Sequence, residues 1–357
     1  MADPLTPGRR PVLITGGAGF IGANLADALA AEGRDVLVYD ALLRPGVEAN
    51  LAWLKQRHPA RVSCVTADVR DAGSLSAAAG QASAVIHLAA QVAVTTSLAD
   101  PVTDFAVNLG ATLTLLEALR RRPGPAPLVF ASTNKVYGDL ADLDFRREGD
   151  AYVPADPGIR AHGIGENRPL DFHTPYGCSK GGADQYVLDY ARSFGVPTCV
   201  LRMSCIYGPR QMGTEDQGWV AHFLIRALEG RPITVYGDGC QVRDVLDVAD
   251  AVAAYRAALA RIAAVQGRAY NLGGGPGNAV SLREVLGAIE GLVGRPLDLA
   301  FEDWRAGDQR YYVSDTRRAA ADLGLGRPLP WRRGLERLAG WLAEDRGLRP
   351  GTRAATA

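Results

Sequence analysis

The sequence predicts an α/β protein built on a doubly wound parallel sheet, and three observations lead to that prediction. Short apolar runs alternate with segments of helical character from residue 12 to residue 202. A glycine-rich turn follows the first of these runs. Polar side chains stand where several later runs end, which is the edge at which open α/β sheets bind their ligands.

The composition is that of an ordinary globular protein of 357 residues, with 47% hydrophobic and 22% charged side chains. Its 39 basic and 39 acidic residues give a formal charge of zero, which provides no field to attract nucleic acid or anionic lipid. No long uncharged apolar run predicts a membrane span, and glycines interrupt the first apolar stretch where a signal peptide would continue. Five cysteines without a C-x-x-C pair argue against a zinc site, so no metal is predicted. We expect a cytoplasmic protein that binds neither nucleic acid nor membrane.

The first strand, residues 12–15, runs into the turn G-G-A-G-F-I-G, and a helix is predicted over residues 23–31. Glycines at the first, fourth and seventh positions of this turn allow a tight bend, a close approach to a pyrophosphate and packing of the helix on the strand. The helix N-terminus then presents free N–H groups to the phosphates. This arrangement predicts a Rossmann dinucleotide site with contacts from Gly16, Gly19, Phe20, Ile21 and Gly22.

The second strand, residues 35–39, ends at Asp40, about twenty residues after the glycine turn. An acidic residue there accepts hydrogen bonds from the adenosine ribose and repels a 2′-phosphate, which favours NAD over NADP. Arg44 follows closely, so accommodation of a phosphate stays open.

Two further strands are predicted over residues 61–67 and 84–90. The first ends at Asp68 and Val69, where a side chain and the backbone reach the adenine. The second contains His87, which we interpret as a packed core histidine, and ends in residues that run close to the cofactor, namely Leu88, Ala89 and Ala90. Asn108 is predicted at the start of the next helix, facing the cofactor or capping the helix.

The fifth strand, residues 128–131, opens into S-T-N-K-V-Y-G, which places the hydroxyl of Thr133 at the ligand-binding edge of the sheet. Tyr176 and Lys180 are four residues apart and therefore share one face of a helix. A phenol with a pKa near 10 is a poor base, but a nearby ammonium favours the phenolate. We predict Thr133, Tyr176 and Lys180 as catalytic residues. Tyr137 is a weaker candidate because no lysine follows it at helical spacing.

The irregular stretch of residues 138–175 predicts a functional loop with a substrate contact at His173. A sixth strand covers residues 198–202, and a second lobe begins near Arg210. The segments 233–236 and 243–248 are predicted to return to the sheet, followed by a strand at 269–272. Arg243 and Arg305 are candidates to bind a diphosphate, with surface salt bridges as the equal alternative.

Together these motifs resemble the extended short-chain dehydrogenase/reductases that modify nucleotide sugars, over nearly the whole chain. The resemblance implies a seven-stranded Rossmann domain over residues 1–203 that also receives 236–272, and a smaller α/β sugar-nucleotide lobe over 204–235 and 273–345. The Pro, Gly, Arg and Ala content of residues 346–357 predicts a disordered tail. The resemblance also implies a homodimer or homotetramer, bound NAD that contacts Asn108, Tyr176 and Lys180, and a nucleotide-diphosphate sugar as substrate. The implied substrate contacts are Asn134, His173, Ser204, Arg210, Gln211, Arg243 and Arg305.

Three runs, residues 132–139, 169–191 and 205–223, resemble those members of the family that invert C2 of a CDP-linked deoxyhexose. The implied reaction is a transient oxidation to a 2-keto sugar, with Tyr176 as the base and tightly bound NAD as the hydride acceptor. A 4,6-dehydratase is disfavoured. The resemblance implies an Asp-Glu pair directly after the threonine in such enzymes, and this chain has Asn134 and Lys135 there. C4 epimerisation or decarboxylation with the same residues stays open. A regulatory protein that binds NAD without turnover is the alternative from another class.

Overall fold

The computed structural model of the chain describes residues 10–305 and 307–348. Its strands, in chain order, are β1 (Val12–Thr15), β2 (Val36–Asp40), β3 (Val62–Thr66), β4 (Ala84–His87), β5 (Leu128–Thr133), β6 (Phe145–Glu148), β7 (Ala151–Pro154), β8 (Thr198–Met203), β9 (Cys205–Tyr207), β10 (Ile233–Tyr236), β11 (Val242–Asp247), β12 (Arg268–Leu272), β13 (Ala279–Ser281), β14 (Leu299–Glu302) and β15 (Tyr311–Tyr312).

The α-helices are α1 (Phe20–Ala31), α2 (Val47–Arg57), α3 (Ala72–Gln81), α4 (Val94–Ala99), α5 (Pro101–Phe105), α6 (Ala111–Arg120), α7 (Pro157–His162), α8 (Thr174–Phe194), α9 (Trp219–Glu229), α10 (Val248–Ala260), α11 (Ile262–Val265), α12 (Leu282–Val293), α13 (Arg317–Leu323) and α14 (Trp331–Arg346). A π-helical turn, Ala106–Gly110, joins α5 to α6, and 3-10 turns cover Asn134–Tyr137 and Pro276–Asn278.

Seven strands form one parallel sheet in the order β3-β2-β1-β4-β5-β8-β12. The chain leaves β1 first toward β2 and later toward β4, so the carboxyl ends of β1 and β4 flank the point at which the winding reverses. A crevice at that point is where doubly wound sheets bind ligands. The predicted fold class is confirmed.

Both faces of the sheet are covered, which is why its strands are apolar throughout. Val12 and Ile14 point into a core shared with α1, α2, α10 and α13, whereas Leu13 points into a core shared with α3, α6 and α8. The stretch Pro101–Arg120 is apolar and long enough to cross a membrane by length and composition. Its residues Leu115 and Leu119 are fully buried against the sheet, as in a core helix of a globular domain.

The smaller lobe has its own core, formed mainly by α9, α12 and α14 with β10, β11 and β13. Strand β11 pairs with β9, β13 and β15, and β10 pairs with β14. The prediction that segments 233–236 and 243–248 return to the main sheet is therefore wrong for both strands. The sequence of β10 alternates as in any half-buried sheet, and β11 is buried at every position without an alternating pattern, so neither sequence identifies the partner strand.

The division of the chain differs from the predicted one in three further places. The chain rejoins the large domain at α10 and β12, while α13 packs on that domain although it lies within the segment predicted for the lobe. Arg346, predicted to open a disordered tail, is instead the last residue of α14, and Leu348 packs against the lobe core. The rest of the predicted tail, residues 349–357, lies outside the described residues.

Candidate active site

The three predicted catalytic residues come from adjacent elements and are all largely buried. Thr133 is the last residue of β5, Tyr176 lies in the first turn of α8, and Lys180 lies one turn further along the same helix. Thr133 and Tyr176 line a cavity of about 460 Å³. The structure thus places two hydroxyl groups at one cavity, with the Lys180 amine one helical turn along α8 from Tyr176.

The start of α8 is fixed by its neighbours, which sets the position of Tyr176. Pro175 occupies the first turn, where a missing N–H costs nothing, and the backbone N–H of Tyr176 donates to Ser97 Oγ at 3.2 Å. Ser97 belongs to α4, whose Val94 and Leu98 line the same cavity. Helix α4 therefore anchors the tyrosine and forms part of the wall that faces it.

The phenol of Tyr176 is protonated at neutral pH in the environment that this chain provides. Burial raises the pKa of Tyr176 to about 12, the Thr133 hydroxyl acts in the opposite direction, and the Asp104 carboxylate adds to the rise. The pKa of Tyr176 therefore lies above its ordinary value, opposite to the predicted lowering, because burial is the largest influence on this phenol. A further positive charge or hydrogen-bond donor in the cavity is required to favour the phenolate.

Lys180 is itself held by the central sheet. Its Nζ donates to the Ala131 carbonyl oxygen at 2.5 Å and lies 4.2 Å from the centre of the Phe130 ring. Burial lowers the pKa of Lys180 to about 7, and the carboxylates of Asp184 and Asp104 limit that fall. Because the lysine is poised between its charged and neutral forms, ligands that enter the site will decide its charge.

A polar cluster behind Tyr176 explains the position of Asn108, which was predicted at a helix start. Asn108 lies inside the π-helical turn, and its amide donates to Asp104 Oδ1, Ser179 Oγ and the Gln91 carbonyl oxygen. The prediction of a cap is therefore wrong. A π-helical turn adds a residue to the helix and redirects a side chain, here into the buried contact with α8.

His87 has the structural role that was predicted. Its ring nitrogens lie 2.6 Å from Thr15 Oγ1 and 3.1 Å from Thr112 Oγ1, and its side chain is fully buried. Burial, together with the charge of Lys180, lowers the pKa of His87 to about 3. The ring therefore stays neutral.

The glycine turn after β1 has the shape of a cradle for a dinucleotide. A Cβ at Gly22 would lie 2.3 Å from the Gly16 carbonyl oxygen, and one at Gly16 would lie 2.8 Å from the Ala89 backbone nitrogen. Gly16 also has φ +68°, which favours glycine. The turn and the predicted segment of Leu88, Ala89 and Ala90 are therefore in direct contact. This closely packed backbone at the N-terminus of α1 fits a pyrophosphate, so the residues present fit NAD.

The predicted adenosine residues lie beside this turn. Asp40 ends β2, and its carboxylate accepts hydrogen bonds from the backbone N–H groups of Ala18 at 3.0 Å and Leu42 at 2.9 Å. Asp68 pairs with Arg70 through its carboxylate, and its carbonyl oxygen accepts from Tyr39. Both aspartates are anchored at the carboxyl end of the sheet, as predicted from the strand ends.

Of the seven predicted substrate contacts, the structure places Asn134, Arg243 and Arg305 at the cavity. Arg243 donates to Asp308 Oδ1 at 2.6 Å. Arg305 lies 3.9 Å from the Tyr236 ring and pairs with Glu215 and Asp216. The two guanidinium groups thus flank the end of the cavity that belongs to the lobe.

The other four predicted contacts are not among the described residues that line the cavity. Ser204 donates to Asp244, and the Gln211 amide donates to the Ile206 carbonyl oxygen. Arg210 lies 4.0 Å over the Trp53 ring and pairs with Asp345 on α14. His173 is half-exposed beside Asp171 and Asp139. In this structure their side chains contact other residues of the protein, and their role as substrate contacts stays a prediction.

Several cavity residues were missed at the sequence level. Lys135 follows the predicted Thr133 by two positions, and its Nζ donates to the Gly307 carbonyl oxygen at 2.9 Å. It also lies 3.7 Å from Asp308. The other missed wall residues include an apolar and aromatic group, Val92, Val94, Leu98, Trp219, Phe223 and Tyr236, and a polar group, Glu215, Asp216, Gln217, His222, Gln241 and Asp308. Lys135 is part of the run S-T-N-K-V-Y-G described above, whereas the apolar wall residues belong to no recognised motif.

Comparisons with known proteins agree with this geometry. A family model described as the NAD dependent epimerase/dehydratase family matches residues 12–273. The CDP-paratose 2-epimerase of Salmonella typhi is 39% identical over 339 residues, which cover 92% of this chain and 98% of that protein.

Solved structures show the same fold. The UDP-glucose 4-epimerase of Thermotoga maritima, solved with UDP-glucose, has a TM-score of 0.80 at 26% identity and covers 94% of this chain and 99% of its own. The dTDP-glucose 4,6-dehydratase of Streptomyces venezuelae, solved with NAD, has a TM-score of 0.80 at 28% identity and covers 95% of this chain and 98% of its own.

Proposed function

The chain belongs to the NAD-dependent epimerase/dehydratase family, and from that premise we propose that it inverts C2 of a CDP-linked deoxyhexose, as in the conversion of CDP-paratose to CDP-tyvelose. The proposal is carried by one observation. Thr133 and Tyr176 line one cavity, and Lys180 lies one helical turn from Tyr176, in a chain 39% identical to a CDP-paratose 2-epimerase. We further propose that the enzyme acts in the cytoplasm.

Each of these residues has a task in the proposed reaction. Tyr176, in the phenolate form that a further positive charge in the cavity would favour, takes the proton of the C2 hydroxyl and returns it after the sugar has presented its other face. Thr133 holds the same oxygen by a hydrogen bond, and Lys180 holds the nicotinamide ribose, a role that the family resemblance implies. Bound NAD⁺ supplies reversible acceptance of one hydride. Epimerisation needs no added reductant, because oxidation and reduction cancel.

The cofactor and the diphosphate are assigned to different ends of the crevice. We propose that the glycine turn, Asp40 and the segment 88–90 hold NAD, since they form the packed cradle at the carboxyl ends of β1, β2 and β4. Arg243 and Arg305 would hold the diphosphate, because guanidinium groups match phosphate oxygens in a bidentate way. A diphosphate anchored by these arginines leaves the sugar free to present its other face.

The residues after Thr133 argue against water elimination as the main reaction. Elimination needs a further acid and base, but Asn134 is an amide bonded to Gln309 Oε1 at 3.0 Å. Lys135 is committed to the Gly307 carbonyl oxygen, and burial lowers its pKa against the pull of Asp308. Neither position offers a carboxyl group to the sugar.

Incubation of the purified protein with CDP-paratose, without added reductant, is expected to yield an equilibrium mixture with CDP-tyvelose. Proton NMR of the sugar region distinguishes the two C2 epimers. A parallel incubation with UDP-glucose tests the alternative C4 reaction. Unchanged CDP-paratose together with formation of UDP-galactose would contradict the C2 assignment and favour a 4-epimerase.

We also propose a homodimer formed through an exposed apolar surface on α5 and α8. Val102 is 77% exposed, Phe105 55% and Tyr186 45%. Leu109, one turn beyond Phe105, lies against Gly182, one turn before Tyr186, so these side chains form one surface. Soluble monomers rarely expose such contiguous apolar patches, and a two-fold axis would bury the same surface on both copies.

Light scattering coupled to size-exclusion chromatography is expected to give twice the chain mass for the wild type. The double variant Val102→Asp, Phe105→Asp is expected to elute as a monomer, because it places charges in the proposed interface. Phe301→Asp, which changes a residue of similar exposure elsewhere, serves as the matched control and should stay dimeric. A monomeric wild type would rule out the proposed dimer.

A further inference from the structure

Segment 307–309 of the lobe is hydrogen-bonded to the turn that follows Thr133. Gln309 is fully buried, its Nε2 donates to the Gly138 carbonyl oxygen at 2.6 Å, and its Oε1 accepts from Asn134 Nδ2 at 3.0 Å. The Lys135 ammonium donates to the Gly307 carbonyl oxygen at 2.9 Å. Both ends of the 3-10 turn Asn134–Tyr137 are therefore bonded to one short segment of the other domain.

The orientation of both amides follows from the chemistry of their partners. A carbonyl oxygen can only accept, so the Gln309 side chain must turn its NH₂ group toward Gly138 and its oxygen toward Asn134. Asn134 must in turn present its NH₂ group to that oxygen. Its own Oδ1 is then left facing the hydroxyl of Thr133, at 3.4 Å. One buried glutamine thus determines which atom Asn134 presents to Thr133.

The Thr133 oxygen is consequently held from two sides. It accepts a hydrogen bond from the Lys135 backbone N–H at 3.2 Å, and Asn134 Oδ1 offers an acceptor for its proton. A contact of 3.4 Å is a weak hydrogen bond, so the Thr133 hydroxyl can redirect its hydrogen bond to an oxygen atom in the cavity at little cost. The Thr133 hydroxyl is thus held in place, while its hydrogen stays available for a hydrogen bond to a ligand.

We propose that Gln309 is a positioning residue for Thr133 and acts through Asn134. This inference rests on the proposed function, since it assigns Thr133 a role in the reaction. Gln309 also connects the turn after Thr133 to the proposed diphosphate site, because the adjacent Asp308 accepts a hydrogen bond from Arg243 at 2.6 Å. The segment that orients the catalytic turn is thus bonded to an arginine proposed to bind the diphosphate.

The test is a double-mutant cycle between Gln309→Met and Thr133→Ala. Methionine has nearly the shape of glutamine but can make neither amide hydrogen bond. In the wild-type background we expect kcat for CDP-paratose to fall about 10- to 100-fold, the loss expected when a catalytic group is misplaced by about 1 Å. KM should change less than threefold, because Arg243 and Arg305 remain. In the Thr133→Ala background the same substitution should leave kcat unchanged, since its effect passes through Thr133.

An equal loss of kcat in both backgrounds would overturn the proposal, because Gln309 would then act on something other than Thr133. If Gln309→Met does not fold, Asn134→Ala removes the middle link and must give the same result in the same cycle. A crystal structure of either variant gives a readout that does not depend on the substrate. Displacement of the Thr133 hydroxyl from its wild-type position supports the proposal, and an unmoved hydroxyl contradicts it even if the proposed substrate proves wrong.

Discussion

Replacement of Tyr176 by phenylalanine is expected to reduce kcat for CDP-paratose by at least about 10²- to 10⁴-fold, the contribution typical of a general acid or base. The substitution removes only the hydroxyl oxygen. The ring remains packed at the start of α8, and the backbone N–H still donates to Ser97. Folding and cofactor binding should therefore persist while proton transfer is lost.

Turnover is measured by NMR, and bound cofactor by the nucleotide released from denatured protein. Tyr137→Phe is the matched control. Tyr137 is also buried near Thr133, but its hydroxyl donates to Asn271 Oδ1 at 2.8 Å, inside the protein core. This variant should lose stability of about 1–3 kcal/mol and keep its activity. Absence of turnover in both Tyr176→Phe and wild type, with NAD bound in both, would instead favour the non-catalytic NAD-binding protein, whereas equal turnover would contradict the role of Tyr176.

The second large effect is expected on stability, from the buried ion pair of Asp184 and Arg202. The guanidinium donates to both carboxylate oxygens at 2.9 Å, Ser132 donates to Oδ2 at 2.7 Å, and both charged side chains are almost fully buried. Asp184→Ala leaves the arginine without its counter-charge inside the protein. We expect the free energy of unfolding to fall by about 3–5 kcal/mol.

Urea denaturation followed by circular dichroism measures this loss. Asp35→Ala breaks the pair of Asp35 with Arg61, whose two side chains are 38% and 48% exposed, and it serves as the control. That variant should lose less than about 1 kcal/mol, because water solvates an exposed charge after its partner is removed. Similar losses for the two variants would show that burial does not set the strength of the Asp184 pair.

The residues that the structure places where the sequence predicts them belong to patterns in which neighbours along the chain determine the geometry. The glycine turn sits between β1 and α1 because its spacing requires a strand before it and a helix after it. Tyr176 and Lys180 share one face of α8 because they are four residues apart. Thr133 reaches the cavity because it ends a parallel strand, β5, at the carboxyl edge of the sheet. In each case local rules were sufficient.

Predictions failed where a residue's role depends on which distant segment packs against it. Arg210, which the resemblance implies as a substrate contact, stacks on Trp53 and pairs with Asp345, and its place in the run of residues 205–223 does not reveal these distant partners. Strand β11 pairs with β9, β13 and β15 instead of joining the main sheet. Asn108 faces a buried cluster because the helix contains a π-helical turn that sequence periodicity does not show.

By itself, the sequence determined the parallel sheet, the glycine cradle and the Thr133, Tyr176 and Lys180 set, because these follow from chain spacing and from apolar runs that must be buried on both faces. The tertiary structure alone decided that Lys180 contacts the Ala131 carbonyl oxygen, that Tyr176 is a buried phenol with a raised pKa, and that Gln309 orients Asn134. These features depend on burial and on contacts between residues up to 175 positions apart, which no local pattern of side chains encodes.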